Sequence, residues 1–122
     1  MGKKILVVND DLIELECFHF ILEGENYDVL VASSGYEALE VFEREFILSD
    51  GIDLVILDIM MPGMDGIEVL AKLKERYPDL PVIICSGGNY RAYFSVWFPD
   101  AYLNKPCTPT EIIDIVEKLL SK

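Results

Sequence analysis

Asp53-Leu54-Val55-Ile56-Leu57-Asp58-Ile59-Met60-Met61-Pro62-Gly63-Met64-Asp65-Gly66 passes from an unbroken apolar run, through a single acid, into turn chemistry. An apolar run without polar alternation reads as a strand covered on both faces, as in the middle of a parallel sheet. Asp53 to Leu57 is that strand, and Asp58 stands where it ends. Pro62-Gly63 and Asp65-Gly66 mark a turn. From there to about Tyr77, Ile67, Leu70 and Leu73 recur at helical spacing and point inward.

The same alternation continues in both directions. Ile5 to Val8 predicts a first strand, and Asp11 to Leu22 a helix with Leu15, Phe18 and Leu22 on one face and Gly24 as its stop. Asp28 to Ala32 predicts a second strand. Ser34 caps a helix through Phe46, with Ala38, Leu39, Phe42 and Phe46 on one stripe. Val82 to Cys85 and Ala101 to Asn104 are the fourth and fifth strands, and Thr110 to Leu120 is a last helix striped by Ile112, Ile113, Val116, Leu119 and Leu120. Strands alternating with helices imply right-handed βαβ units, hence an α/β fold with a doubly wound parallel sheet. No repeat or linker interrupts the pattern, and residues 1–122 read as one domain.

Hydrophobic residues make up 52% of the chain, enough for a sizeable core, yet no apolar run approaches the ~20 residues of a membrane helix. The start, Met1-Gly2-Lys3-Lys4, lacks a signal-peptide pattern, so a cytoplasmic location is expected. A net charge of -12 argues against direct binding to nucleic acid or an anionic membrane. Cys17, Cys85 and Cys107 form no CxxC pair and read as buried free thiols; His19 has no ligand partner and reads as an ordinary helix residue.

In a parallel sheet, sites form beyond the carboxyl ends of the strands. The first strand runs into Asn9-Asp10-Asp11, the third into Asp58, the fourth into Ser86 and the fifth into Lys105-Pro106. Converged, Asp10 and Asp58 offer carboxylate oxygens to a hard cation such as Mg²⁺. Lys105 offers a cation and Ser86 a hydroxyl to a phosphate oxygen. A carboxylate can itself attack phosphorus. Each residue alone is more readily a cap, a turn former or a solvated charge; the conjunction at four strand ends is what fits one reaction.

Three stretches, Ile5-Leu6-Val7-Val8-Asn9-Asp10-Asp11, Asp53 to Gly66 with its D-x-x-M-P-x-M-D-G core, and Tyr102-Leu103-Asn104-Lys105-Pro106, resemble the signature blocks of response-regulator receiver domains; Gly35-Tyr36-Glu37-Ala38-Leu39 is similar to the family's second helix. The resemblance runs from Lys3 to Leu120. It implies a flavodoxin-like five-stranded sheet of order 2-1-3-4-5. It also implies a phosphorelay switch: no enzyme in the ordinary sense, but a domain that catalyses its own phosphorylation and dephosphorylation. By resemblance, Asp58 is the phosphoacceptor, and Asp10, Asp58 and the main-chain carbonyl of Met60 hold Mg²⁺. Ser86 is the switch hydroxyl, and Lys105 pairs with the phosphoryl group and precedes a cis bond to Pro106. Tyr102 matches the aromatic switch residue, or is a ring packed on a strand edge. The implied partners are a histidine kinase or histidine phosphotransfer protein, docking near the first helix, and an output domain or protein.

The chain departs from the family pattern in three places. Asn9 replaces the first of two acids, which reaches the metal through water, so weaker Mg²⁺ binding is expected. Met60 and Gly88 bring no side-chain hydrogen bond to the attacking water, which implies slow self-dephosphorylation. The segment from Ser86 to Lys105 is short, so the family's fourth helix should be short or irregular. Its rings, Tyr90, Tyr93, Phe94, Trp97 and Phe98, form either a partner or dimer surface, on the face of that helix and the fifth strand, or core filling. Phe94 and Phe98 are expected inside and Trp97 outside. Two rival readings stand beside this one. A phosphohydrolase of the haloacid dehalogenase type would need a second Asp where Met60 stands. A pseudo-receiver would signal by protein interaction without phosphate.

Overall fold

The computed structural model describes residues 2–88 and 97–121. The elements run β1 (Lys4–Val8), α1 (Leu12–Glu23), β2 (Asp28–Ala32), α2 (Gly35–Leu48), β3 (Leu54–Asp58), α3 (Gly66–Arg76), β4 (Val82–Ser86), β5 (Ala101–Asn104) and α4 (Pro109–Leu120). All strand pairs are parallel, in the order β2-β1-β3-β4-β5. The expected short fourth helix of the family falls on residues 89–96, outside the described residues. Among the described residues no helix is long and apolar enough to cross a membrane.

Side-chain alternation splits the core into two layers. Leu6, Val8, Val55, Leu57, Val82 and Ile84 face α2 and α3, joining Ala38, Phe42, Val69, Leu70 and Leu73. Ile5, Val7, Leu54, Ile56, Ile83 and Cys85 face the other way, against Leu15, Phe18 and Leu22 of α1 and Ile112 and Val116 of α4. Burial on both faces explains why these strands carry no polar alternation.

Each helix starts on a side-chain cap. Asp11, Ser34, Asp65 and Thr108 accept hydrogen bonds from the first-turn N–H groups of α1, α2, α3 and α4. Thr108 and Glu111 complete a reciprocal capping box with Pro109 in the first turn, so α4 begins earlier than the expected Thr110. Helix α2 runs two residues past Phe46, whose ring is exposed and rests on Tyr77 at a centroid distance of 5.4 Å instead of entering the core. Gly24 does cap α1, but in a right-handed conformation; the left-handed residue of this turn is Asn26. Strand β3 starts one residue later than expected because the Asp53 carboxylate accepts the Lys4 N–H at 2.8 Å.

Four burial expectations are corrected, one of them at Cys107, which is half-buried and not buried. Cys17 is exposed, because α1 offers the sheet only one narrow stripe, Leu15, Phe18 and Leu22. Trp97 and Phe98 exchange the places expected of them: Trp97 packs on the α2–α3 core layer and Phe98 is 57% exposed. Neighbours along a non-helical stretch point to opposite sides, and burying the larger ring removes more apolar area from water. Tyr90, Tyr93 and Phe94 lie outside the described residues.

Candidate functional site

Strand order reverses between β1 and β3: the connection after β1 leads outward to β2, and that after β3 leads the other way to β4. The crevice beyond their carboxyl ends is where such a sheet binds ligands. Val8 pairs with Leu57, so Asn9 and Asp58 leave the sheet side by side, and Asp58 pairs with Cys85, one step before Ser86.

The turn after β1 sorts three neighbouring polar residues into three roles. Asn9 is buried, at 3% exposure, and its Oδ1 accepts the Asp11 N–H at 2.9 Å. Asp11 Oδ1 accepts from Ile13 and Glu14 N–H and so is committed to the α1 cap. Asp10 lies exposed between them, and among the described residues no hydrogen bond or ion pair engages its carboxylate. The carboxylate available to a ligand is therefore that of Asp10.

Asp58 is 8% exposed and closes β3. The loop behind it folds back on Ile59, whose carbonyl accepts the N–H groups of Met61 at 3.1 Å and Gly66 at 3.0 Å. Ile59, Met61 and Met64 enter the core and leave Met60 66% exposed, with no hydrogen bond among the described residues taking its carbonyl. From the far side, Lys105 Nζ reaches Asp58 Oδ1 at 3.2 Å, and the Lys105 N–H bonds the Ser86 carbonyl at 2.9 Å. The Lys105–Pro106 bond is cis.

Burial pushes the Asp58 carboxyl above the usual carboxylate range; Lys105 offsets only part of this, and the charges of Glu14 and Asp10 push it further up. Lys105 shows the balance from the other side. Burial opposes its charge, but its bond to Glu14 and the charge and hydrogen bond of Asp58 prevail, and its pKa rises.

The Ser86 hydroxyl is held by backbone: its Oγ accepts the Gly88 N–H at 3.0 Å and donates to the Gly88 carbonyl at 3.2 Å. Tyr102 is half-buried, paired across the sheet with Ile84, and packs on the α2–α3 core layer. Cys85 and Cys107 lie within hydrogen-bonding reach of one another beside Lys105, and burial, the largest cause, pushes the Cys85 thiol up to about 12.

Sequence reasoning missed Glu14, whose Oε1 is 2.9 Å from Lys105 Nζ. A first-turn glutamate serves the helix dipole in most helices, and its spacing from Lys105 carries no signal.

The donor set suits a divalent cation. Asp58 and Glu14 both contact the Lys105 ammonium, and the charge of Asp10 acts on Asp58, so among the described residues negative charge is in excess at the site. Among the described residues no group of three or more His, Cys, Asp or Glu forms a metal cage. Two carboxylates and one unengaged carbonyl, that of Met60, are what Mg²⁺ accepts while keeping several waters.

A family model for the response regulator receiver domain matches residues 5–117. The alkaline phosphatase synthesis transcriptional regulatory protein PhoP of Bacillus subtilis is 34% identical over 125 residues, covering 100% of this chain and 50% of its own length. The chain thus spans about half the length of the curated relatives it matches. A CheY-like receiver domain protein of Methanospirillum hungatei superposes with a TM-score of 0.89 at 32% identity, covering 99% of this chain and 95% of its own. The response regulator TrrA of Thermotoga maritima, solved in complex with Mg²⁺ and BeF, gives 0.84 at 36% identity, covering 97% of this chain and 99% of its own. Sequence, strand order and strand-end chemistry agree: the chain belongs to the response regulator receiver domain family of two-component systems.

Proposed function

We propose that Asp58 accepts a phosphoryl group from a histidine kinase or histidine phosphotransfer protein, and that the resulting charge switches the domain between two conformations. Receiver domains are phosphoacceptor switches, not classical enzymes; they bind Mg²⁺ at the phosphorylation site and interact with histidine kinases. The observation that best supports the reading is the buried Asp58 carboxylate 3.2 Å from the Lys105 ammonium at the reversal of strand order.

In the reaction, an Asp58 carboxylate oxygen attacks phosphorus. An O–P bond forms as the donor's N–P bond breaks, and the electron pair leaves with the imidazole nitrogen. Asp10, Asp58 and the Met60 carbonyl are the residues that would hold Mg²⁺, and the ion, when bound, offsets the repulsion between these acids and the phosphoryl group. Lys105 neutralises a phosphoryl oxygen. Ser86 exchanges its Gly88 bonds for the phosphoryl group, and Tyr102 repacks, biasing a two-state equilibrium. Met60 and Gly88 supply no side-chain group to orient a hydrolytic water, so the phosphorylated form is long-lived.

We read residues 1–122 as one receiver domain in the cytoplasm. Its output lies in another domain or protein, with no direct nucleic-acid contact at a net charge of -12. The exposed Phe98 ring, next to β5, marks the face for output contacts or a dimer. Beryllofluoride, which stands in for a phosphoryl group on a carboxylate, tests the site. Saturable, Mg²⁺-dependent uptake is expected in the parent and is lost in Asp58→Asn. No uptake in the parent would overturn the reading and favour a phosphate-independent interaction module.

A further inference from the structure

Glu14 occupies the third position of α1, after the Asp11 cap. A glutamate there ordinarily reaches back to the N–H of the cap residue. In this chain that N–H is already taken by Asn9 Oδ1 at 2.9 Å. The Glu14 carboxylate instead crosses to Lys105 Nζ at 2.9 Å, a shorter contact than the 3.2 Å between Lys105 and Asp58. The side chains of this pair are only partly exposed, at 35% for Glu14 and 23% for Lys105, so solvent screens the interaction incompletely. The Lys105 ammonium, which would meet a phosphoryl oxygen, is thus divided between two carboxylates.

We propose that Glu14 is a positioning residue that holds Lys105 in the resting state and acts as a brake on phosphoryl transfer to Asp58. The proposal rests on the reading of Asp58 as phosphoacceptor. An incoming phosphoryl group must displace the Glu14 carboxylate from Lys105 and must do so beside its negative charge. Both effects oppose anion binding and leave cation binding intact or improved. Asn9 belongs to the same arrangement. As an amide it serves the Asp11 N–H without adding charge, so an acid absent from the metal side of the pocket is matched by one on the lysine side.

The opposite signs supply the test. In Glu14→Gln, Mg²⁺-dependent beryllofluoride affinity and the rate of phosphorylation by phosphoramidate should each rise roughly two- to fivefold, the upper range for a partly exposed charge pair. Affinity for Mg²⁺ alone should stay level or fall. A merely structural role for Glu14 would move both affinities together or neither. Glu14→Asp, which keeps the charge but is one methylene shorter, should fall between parent and Glu14→Gln. Unchanged or weaker beryllofluoride binding in Glu14→Gln, with normal binding in the parent, would overturn the brake and leave the phosphoacceptor reading standing. Parent uptake no greater than that of Asp58→Asn would overturn both.

Discussion

Gly66 lies directly against the main-chain carbonyl of Asp58. A Cβ at position 66 would overlap that oxygen and stand 3.0 Å from the Asp58 carbonyl carbon and 2.9 Å from Ile59 Cα. The obstructing atoms are backbone, so no rotamer change relieves them. Alanine would gain ~1 kcal/mol of helix propensity at the start of α3. The overlap outweighs that gain, and Gly66→Ala is expected to lose a net ~2–3 kcal/mol, as overpacked sites do. Because relief must come from moving the Asp58–Met60 backbone, Mg²⁺ affinity should fall as well. Urea unfolding and metal titration of the same variant check both effects; unchanged Mg²⁺ affinity would show that the loop relaxes elsewhere.

The Asp58 carboxyl works against stability. Its pKa in the folded chain is raised, chiefly by burial. The folded protein therefore binds more protons than the unfolded chain just above the ordinary carboxylate range, and stability falls as pH rises through the folded pKa. At pH 7 the ionised group is a net cost. Asp58→Asn, which keeps the shape and removes the charge, should unfold at higher urea concentration than the parent at pH 7 without Mg²⁺. The gap should close as pH drops below ~4. A variant less stable than the parent at pH 7 would show that Lys105 contributes more to this carboxylate than burial costs it.

The four strand ends were legible because topology alone decides them. Once β1, β3, β4 and β5 are parallel, Asp10, Asp58, Ser86 and Lys105 must emerge on one edge, whatever the helices do. Pairings across elements were not legible. Glu14 meets Lys105, and Cys85 meets Cys107, across elements far apart in sequence, and no spacing along the chain announces either contact. The orientation of Cys17, Trp97 and Phe98 depended on which narrow stripe each segment turned inward, and hydrophobicity without a clear period does not encode that.

Lys74 shows how an inward charge is accommodated. It lies four residues after Leu70 and one after Leu73, on the buried side of α3. Its Nζ donates to the Leu80 carbonyl and to Asp100 Oδ2, each at 2.7 Å, while Asp100 Oδ2 also accepts the Val82 N–H at 2.8 Å. This clamp ties α3 to the start of β4 and to the approach to β5. Lys74→Met fills the space but leaves a carbonyl and a carboxylate without their donor. The expected loss is ~2–3 kcal/mol, below the full figure for a buried pair because Asp100 is partly exposed. Mg²⁺ and beryllofluoride affinities should not change, since the clamp is remote from Asp58. In a double-mutant cycle with Asp100→Asn, additive losses would show that the two residues act independently.

Asn9 sets the charge on the metal side. It is buried, its Oδ1 already accepts the Asp11 N–H, and it adds no negative charge beside Asp10 and Asp58. An aspartate at position 9 preserves that hydrogen bond through one oxygen and brings a carboxylate toward the cation. Asn9→Asp should therefore tighten Mg²⁺ binding by about tenfold, equivalent to ~1.4 kcal/mol from one added charge near a divalent ion at a partly screened distance. It should also lower stability in the absence of metal, because a third acid then crowds Asp10 and Asp58 without its own ammonium. Isothermal titration with Mg²⁺, paired with urea unfolding in a chelator, separates the two effects. Equal metal affinities for parent and variant would mean that position 9 acts only through the turn it holds.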